Sequence, residues 1–330
     1  MRDHLLAISL TTLLWSGTQN IYAEEPKDLG VSFSDPSDAF SMPAEWVDKP
    51  IKHDVDDNAD LVVTLDQQSY VALRDKVMIY GKENGLKIIV KEGTCGLSSG
   101  MLEKKSTDIG GFCCPAGKVD RLPNLKFHTL GIAAVTLIVH PDNPIESVSL
   151  EQAREIFRGD IEYWSQLGQQ NSHPIKPVTR LHCKKRPGHW KLLLPHEDHF
   201  SLHVHDVGVI PDMISKVSSD TKAIGYETIL MTEQYASKGK VKALRIDGIS
   251  PDNRDALIRT AYPLYRTYNV TTWTGKHQNK TADLLVGYLL DTIEDMEQYH
   301  FISHKKLRDA GWKFHGNELI GTPTITGSIK

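Results

Sequence analysis

Four cysteines carry the most specific chemistry in this sequence: Cys95, Cys113, Cys114 and Cys183. In an oxidising compartment such residues form one or two disulfides. As thiolates they instead bind a soft metal ion or a thiophilic oxyanion such as arsenite, and a thiol beside His182 can act as a nucleophile or redox group. Adjacent cysteines at 113 and 114 lack the CxxC spacing of thioredoxin-like motifs and zinc ribbons, so the sequence supports neither motif. The residues themselves leave the three alternatives open.

Histidine is the second residue type concentrated in one region, since six of the fifteen histidines lie between residues 182 and 205. They are His182, His189, His196, His199, His203 and His205. The spacing of His196 with His199, and of His203 with His205, could place imidazoles on one side of a metal ion. No HExxH motif is present, however. A polar surface loop with titrating histidines is the favoured interpretation, and no metal site is predicted.

The length and charge of the chain are those of an ordinary soluble protein. Its 330 residues suggest about two domains, and 40% of them are hydrophobic. The formal net charge of −4 does not favour nucleic acid or an anionic membrane as a partner. The composition also excludes a disordered, collagen-like or small disulfide-stapled protein.

The first 23 residues have the layout of a signal peptide. Arg2 precedes an apolar region from Leu5 to Trp15, and the small residue Ala23 marks the expected cleavage site. The apolar region is too short for a membrane span of about 20 residues, so we expect export without a stable membrane span. Residues 24–58 are acidic and rich in proline, and they are predicted to form an extended arm.

From residue 60 onwards, strand-like and helix-like segments alternate. Apolar or β-branched runs predict strands, and apolar residues recurring at helical spacing predict helices. The predicted strands are 61–63, 86–90, 108–112, 127–140, 223–226 and 241–246, and the predicted helices begin near residues 70, 98, 149 and 281. Ser149 and Gln152 form a capping box at the third of these helices. The alternation predicts an α/β architecture with mainly parallel sheets.

Five short sequence blocks occur in an order that is typical of one protein family. The blocks are Glu-Gly-Thr-Cys-Gly-Leu-Ser-Ser-Gly at 92–100, Thr-Asp-Ile-Gly at 107–110, Val-His-Pro-Asp-Asn-Pro at 139–144 with the segment 149–164, Ala-Ile-Gly-Tyr at 223–226, and Ile-Asp-Gly-Ile-Ser-Pro at 246–251 ahead of Tyr-Pro-Leu-Tyr-Arg at 262–266. Together they resemble the phosphate-binding family of periplasmic substrate-binding proteins, the extracellular receptors of ABC importers. The resemblance covers about residues 60 to 315.

The resemblance implies a two-lobed periplasmic binding protein fold, with a hinge and a ligand cleft between the lobes. Lobe 1 would comprise residues 59–138 and 244–330, and lobe 2 residues 139–243. The implied function is that of a non-catalytic periplasmic receptor that captures a small inorganic oxyanion, phosphate or a phosphate-like species. Such a receptor needs no cofactor and is expected to be a monomer. Its partner would be the membrane subunit of an ABC importer or a sensor protein.

Three turns that follow predicted strands would supply most of the oxyanion site. In isolation they are ordinary strand-to-helix turns, but within the five-block pattern we expect them to bind ligand. Helix N-termini beyond the carboxyl ends of strands offer N–H groups to an oxyanion. The predicted contacts from these turns are Thr64, Leu65, Asp66, Gly93, Thr94, Cys95, Gly96, Cys113 and Cys114. Asp66 is also a candidate helix N-cap, which is the favoured of its two roles.

The block at 179–190 departs from the family pattern. Arg180 matches the arginine of phosphate binders, and its planar guanidinium suits bidentate contact with an oxyanion. The Ser-Gly-Thr loop of the family is replaced by His182, Cys183 and a basic run at 184–186, which on its own is equally consistent with a solvated face. Arg180, His182 and Cys183 complete the predicted ligand set. The first alternative to phosphate is a soft metal or thiophilic oxyanion bound by the four cysteines, and the second is a thiol-dependent enzyme on the same scaffold.

Overall fold

The computed structural model describes residues 32–54, 58–170, 172–182, 186, 188–294 and 300–323. The predicted signal peptide, Cys183, Lys184 and Lys185 lie outside the described residues. No helix within those ranges is both long enough and apolar enough to cross a membrane.

Strands and helices alternate along most of the chain. The strands are β1 (Leu61–Asp66), β2 (Ile88–Gly93), β3 (Ile109–Phe112), β4 (Leu125–Val139), β5 (Ser147–Val148), β6 (Lys176–Thr179), β7 (His205–Asp206), β8 (Ala223–Thr228), β9 (Lys242–Ala243), β10 (Arg245–Ile246), β11 (Tyr265–Trp273), β12 (Phe301–Ser303), β13 (Lys313–His315) and β14 (Glu318–Gly321). The helices are α1 (Ala44–Asp48), α2 (Gln67–Glu83), α3 (Cys95–Lys104), α4 (Leu150–Arg158), α5 (Ile210–Ser218), α6 (Ile229–Gln234), α7 (Arg254–Ile258), α8 (Lys280–Thr292) and α9 (His304–Asp309).

One curled sheet contains the strands in the order β2, β1, β3, β11, β4, β8, β6 and β7, and β12 and β9 also pair with β4. β1 is parallel to both β2 and β3, and β6 is parallel to β7 and β8. In the centre, β11 and β8 are antiparallel to β4. The architecture is therefore α/β as predicted, but the prediction of mainly parallel pairing is wrong for the central strands.

Strand β4 belongs to both halves of this sheet. Residues 125–134 pair with β11, and residues 135–139 pair with β8. Every residue from Thr129 to Val139 is buried. A strand covered on both faces reads as a continuous apolar and β-branched run, which is why it was predictable from the sequence.

Other element boundaries differ from prediction for local reasons. Helix α3 begins at Cys95, three residues earlier than expected, because the Thr94 hydroxyl caps it by accepting from the Leu97 N–H at 3.2 Å. The capping box of Ser149 and Gln152 is confirmed at the start of α4. Strand β11 was not predicted, since its buried residues include Arg266 and several threonines that hide its apolar signal.

The N-terminal arm is less extended than its proline content suggests. Residues 44–48 form α1, and the Trp46 indole N–H donates to the Glu103 carbonyl at 2.6 Å. The Lys105 ammonium donates to the carbonyls of Val47 and Lys49 at 3.1 and 2.9 Å. The arm thereby covers a small apolar cluster, which consists of Cys95, Leu102, Phe112, Cys113, Cys114, Ala116, Leu122, Phe127 and Trp273.

Candidate functional site

The three predicted turns converge because of the order of their strands. β2, β1 and β3 are neighbours and run in parallel, so their carboxyl ends meet at one edge of the sheet. β1 ends at Asp66, β2 ends at Gly93, and Cys113 follows the last residue of β3. The sheet thus places the N-termini of α2 and α3 beside the adjacent cysteines.

Asp66 caps helix α2, as its favoured interpretation predicted. Its carboxylate accepts from the backbone N–H groups of Ser69 and Gln68 at 3.2 and 3.3 Å. Burial raises the pKa of Asp66 to about 7, and the nearby Cys95 adds to the effect. Close to neutral pH this carboxyl group is therefore partly protonated.

Two of the predicted contacts, Thr64 and Leu65, are buried at the end of β1. The Thr64 hydroxyl donates to Thr107 Oγ1 at 3.2 Å and is fully buried, and Leu65 is part of the main hydrophobic core. At the second turn, the Leu97 side chain packs directly against the backbone of Gly93. A Cβ added at Gly93 would lie 2.3 Å from Leu97 Cδ2. Gly96, in the first turn of α3, is exposed.

Three of the four cysteines form a compact buried cluster. Cys95, Cys113 and Cys114 are 4%, 3% and 1% exposed, and their sulfur atoms all lie within 4.8 Å of one another. The sulfur atoms of Cys95 and Cys113 are 3.7 Å apart, much longer than a disulfide bond of about 2.05 Å. No disulfide joins these three residues to one another. Cys183 lies outside the described residues.

The histidine-rich segment does not contribute a comparable cluster. Among the described residues, the three cysteines are the group of close metal-ligating side chains. His196, His203 and His205 are exposed, and His196 contacts His199 through an edge-to-face ring packing at 5.1 Å. These histidines have the positions expected of a polar surface loop.

Arg180 lies in a buried charged network with Glu227 and two histidines. Its Nη1 donates to Glu227 Oε2 at 2.9 Å, and its Nη2 lies 2.8 Å from His189 Nε2, which must accept this bond. Burial, together with the positive charges of Arg266 and Arg180, lowers the pKa of His189 far below its usual value. Burial and then Arg180 lower the pKa of His182 to about 4, so both imidazoles are neutral at pH 7.

Arg266 is a second buried arginine that the sequence reasoning did not assign to the site. Its Nη1 donates to Cys113 Sγ at 3.4 Å, and its Nη2 lies 3.8 Å from Glu227 Oε1. Its Nε and Nη2, and the Nε of Arg180, have no hydrogen-bond acceptor within the described part of the chain. Two buried guanidinium groups thus share one carboxylate and retain unused donors.

Gln68 connects this network to helix α2. Its amide nitrogen donates to Glu227 Oε1, and its amide oxygen accepts from Thr228 Oγ1 at 3.0 Å and from the Tyr268 hydroxyl at 3.1 Å. Buried amide groups need such partners. The bonds tie α2 to both β8 and β11 across the centre of the sheet.

Of the two interpretations left open for the basic run, the solvated face does not hold at Arg186, which is buried. It makes a bidentate ion pair with Asp120, with Nε donating at 2.8 Å. Its Nη1 donates to the Cys95 carbonyl at 2.6 Å, and the guanidinium stacks over the Phe112 ring at 4.1 Å. Arg186 therefore connects its own position in the chain to the start of α3.

Each site residue that the sequence analysis left unassigned lies beside a sequence feature that it did use. Gln68 follows the Asp66 cap by two positions, Glu227 directly follows Ala-Ile-Gly-Tyr, and Arg266 ends Tyr-Pro-Leu-Tyr-Arg. A charged or amide side chain at the end of an apolar block requires a buried partner. This need for a buried partner is the feature of the sequence that could have assigned these three residues to the site.

A curled α/β sheet whose central strand β4 is shared by both halves is the architecture of two-lobed periplasmic binding proteins. A family model described as PBP superfamily domain matches residues 57–291. The chain belongs to this superfamily of periplasmic binding proteins.

Curated relatives are similar at modest identity. The phosphate-binding protein PstS of Pseudomonas aeruginosa is 25% identical over 216 residues, which is 61% of this chain and 64% of that protein. The phosphate-binding protein PstS of Bacillus subtilis is 26% identical over 140 residues, or 42% of this chain and 44% of that protein. This chain therefore matches slightly less than two thirds of the Pseudomonas protein.

Solved structures support the fold. An ABC-type phosphate transport receptor from Vibrio cholerae aligns with a TM-score of 0.59 at 18% identity, covering 74% of this chain and 99% of that one. A putative phosphate ABC transporter substrate-binding protein from Clostridium perfringens, solved with bound phosphate, aligns with a TM-score of 0.64 at 16% identity, covering 74% and 98%. At these identities the likeness concerns architecture alone.

Proposed function

We propose that this protein is a periplasmic receptor that captures a small inorganic oxyanion, phosphate or a phosphate-like species, for an ABC importer. The proposal is supported by the superfamily match and by relatives that are named phosphate-binding proteins. Export to the periplasm follows from the signal-peptide layout of residues 1–23.

The observation that carries the oxyanion proposal is the excess of buried positive charge around Glu227. Arg180 and Arg266 contribute two positive charges against one carboxylate, and both are at most 3% exposed. A buried charge without a partner is strongly unfavourable. An anion that accepts the unused N–H groups of both guanidiniums would offset this charge with charge-assisted hydrogen bonds.

The lobes that would close on this anion are residues 59–138 with 244–330, and residues 139–243. Support comes from β4, whose pairing partner changes from β11 to β8 at residue 135. Gln68 would hold the lobes together through Glu227 and Thr228. The ion pair of Arg186 with Asp120 would be a second contact across the cleft. Closure of this kind is the usual response of such receptors to ligand.

A catalytic role is not proposed for this site. Binding needs only hydrogen bonds and charge, and relatives named as phosphate-binding proteins carry the functional comparison.

The test is isothermal titration calorimetry of the mature protein with phosphate, arsenate and sulfate. We expect a 1:1 complex with at least one of these anions, and a loss of affinity of about tenfold or more in Arg266→Met, because a hydrogen bond to a charged group contributes about 1.5–3 kcal/mol. Arg259→Met is the matched control, since Arg259 is exposed. Absence of binding at millimolar anion, or equal affinity in the two variants, would refute the proposal.

A further inference from the structure

The sulfur atoms of Cys95, Cys113 and Cys114 meet because of the same strand order that forms the turns. Cys95 is the first residue of α3, directly beyond β2, and the other two follow β3 without a gap. With β1 between these two strands, the loops face each other across a single strand. Residues 18 and 19 positions apart thereby bring three thiols to within 4.8 Å of one another.

The separations suit a single central ion. Three sulfur atoms bound at about 2.3 Å from a zinc-like ion are about 3.8 Å apart in tetrahedral and about 4.0 Å apart in trigonal geometry. The Cys95 and Cys113 sulfurs are 3.7 Å apart, so only small side-chain shifts are needed. We propose that Cys95, Cys113 and Cys114 form a three-sulfur site for a thiophilic ion, either a soft d10 cation or a trivalent metalloid hydroxide of the arsenite type.

The surroundings of the sulfurs favour a soft ligand. The cluster is lined by Phe112, Leu122, Phe127 and Trp273, and the arm packs on it through Met42 and Trp46. Hard cations such as Mg²⁺ keep several water molecules and prefer oxygen ligands. A buried site that offers three sulfur atoms selects ions that form strong bonds to thiolates.

Hydrogen bonds to the neighbouring sulfurs, and then burial, hold the pKa of Cys113 well above its usual range, and the pKa of Cys114 is raised as well, so the ligand-free cluster is a set of thiols. Adjacent positive charge favours the thiolate form once an ion displaces the protons. Arg266 Nη1 donates to Cys113 Sγ at 3.4 Å, and this guanidinium shares its carboxylate partner with Arg180. Cys95 lies at the N-terminus of the ten-residue helix α3, where backbone N–H groups stabilise a thiolate. The sulfur cluster shares Arg266 with the proposed anion site, so this inference rests on the receptor function proposed above.

The two kinds of thiophilic ion react with different proton balances. A trivalent hydroxide exchanges three metalloid–oxygen bonds for three metalloid–sulfur bonds, and each hydroxide leaves as water with one thiol proton. A d10 cation forms three metal–sulfur bonds and displaces the three thiol protons into solvent. Neither reaction transfers electrons, and neither requires an oxidant.

The experiment is calorimetry of the reduced mature protein with Cd²⁺, Zn²⁺ and arsenite, each in two buffers of different ionisation enthalpy. We expect 1:1 binding by at least one of the three. Binding of Cd²⁺ or Zn²⁺ should release protons into the buffer, whereas binding of arsenite should release none. Cys113→Ser and Cys114→Ser should weaken binding by about 100-fold or more, a larger loss than the roughly 10–100-fold caused by removing a supporting group.

Met101→Leu is the matched control, because it removes a different buried sulfur from α3 and conserves volume. If the serine variants do not fold, native mass spectrometry and the sulfur-to-cadmium absorption band of the wild-type protein provide the measurement. Failure of all three ions to bind the wild-type protein, or equal binding by Cys113→Ser and Met101→Leu, would overturn the three-sulfur site. Phosphate titrated into the same wild-type sample tests the oxyanion proposal separately, so the two can fail independently.

Discussion

Glu227 Oε2 accepts a hydrogen bond from Arg180 Nη1 at 2.9 Å, and the same carboxylate is 3.8 Å from Arg266 Nη2. One negative charge thus holds two buried guanidiniums that come from distant parts of the chain. The carboxylate is fully buried. The stability of the ligand-free protein therefore depends on Glu227 more than on either arginine alone.

Glu227→Gln should destabilise the ligand-free protein by about 3–5 kcal/mol, because it leaves two buried positive charges uncompensated. Phosphate or another bound anion should restore part of this loss, so the ligand-induced rise in melting temperature should be larger than in wild type. Differential scanning fluorimetry with and without anion measures both effects. The exposed Glu162→Gln is the control, and a loss of stability equal to that control would contradict this account.

The sequence predicted the family and the meeting of the three turns, because those features depend on local signals. Asp66 was predictable as a helix cap, and the cysteines at 95, 113 and 114 were predictable as neighbours from their positions after consecutive strands. The antiparallel pairing of β4 with β11 joins residues 125–134 to 265–273, and no local pattern encodes such a partner. Arg266 was missed for the same reason, since its burial is decided by Glu227 and Cys113 on other elements.

Arg186 and Asp120 form a buried ion pair, so removal of either charge alone should destabilise the protein. Removal of one member by Arg186→Met leaves the Asp120 carboxylate without its guanidinium partner, and we expect a loss of about 3–5 kcal/mol in unfolding free energy. Combining it with Asp120→Asn should recover a large part of this loss, because no uncompensated charge then remains. Urea denaturation of the two single variants and the double variant forms the required cycle. Strictly additive effects of the two changes would argue against the pair.

His128 should make stability depend on pH below neutrality. Burial lowers the pKa of His128 to about 4, and its Nε2 lies 2.9 Å from Thr272 Oγ1. Since its folded pKa is below the unfolded value of about 6.5, its stabilising contribution is complete above pH 6.5 and is lost as the pH falls towards 4. The contribution is at most about 3 kcal/mol.

The measurement is unfolding free energy by urea denaturation at several values between pH 7 and pH 4.5. His128→Gln should have a flatter pH profile than wild type, whereas the exposed His203→Gln should keep the wild-type slope. Parallel profiles for wild type and His128→Gln would show that another group causes the acid sensitivity.

The N-terminal arm should contribute to the stability of the apolar cluster that it covers. Trp46→Ala removes the hydrogen bond to Glu103 and the ring beneath the Lys105 ammonium, which lies 4.3 Å from the ring centre. We expect a loss of about 1–3 kcal/mol in unfolding free energy. Trp46→Phe retains an aromatic ring without the N–H donor and should lose less. An unchanged melting temperature in Trp46→Ala would mean that the arm packs on this cluster without stabilising it.

The pairing of β4 sets the order in which the chain can fold. Residues 125–134 remain without their β11 partner until residue 273 has been made, so the sheet that contains the turns cannot be completed from the first half of the chain. Contacts between such distant segments slow folding, because a long loop must close before they form. An incomplete sheet of this kind leaves a growing chain unfolded until most of the sequence has been synthesised.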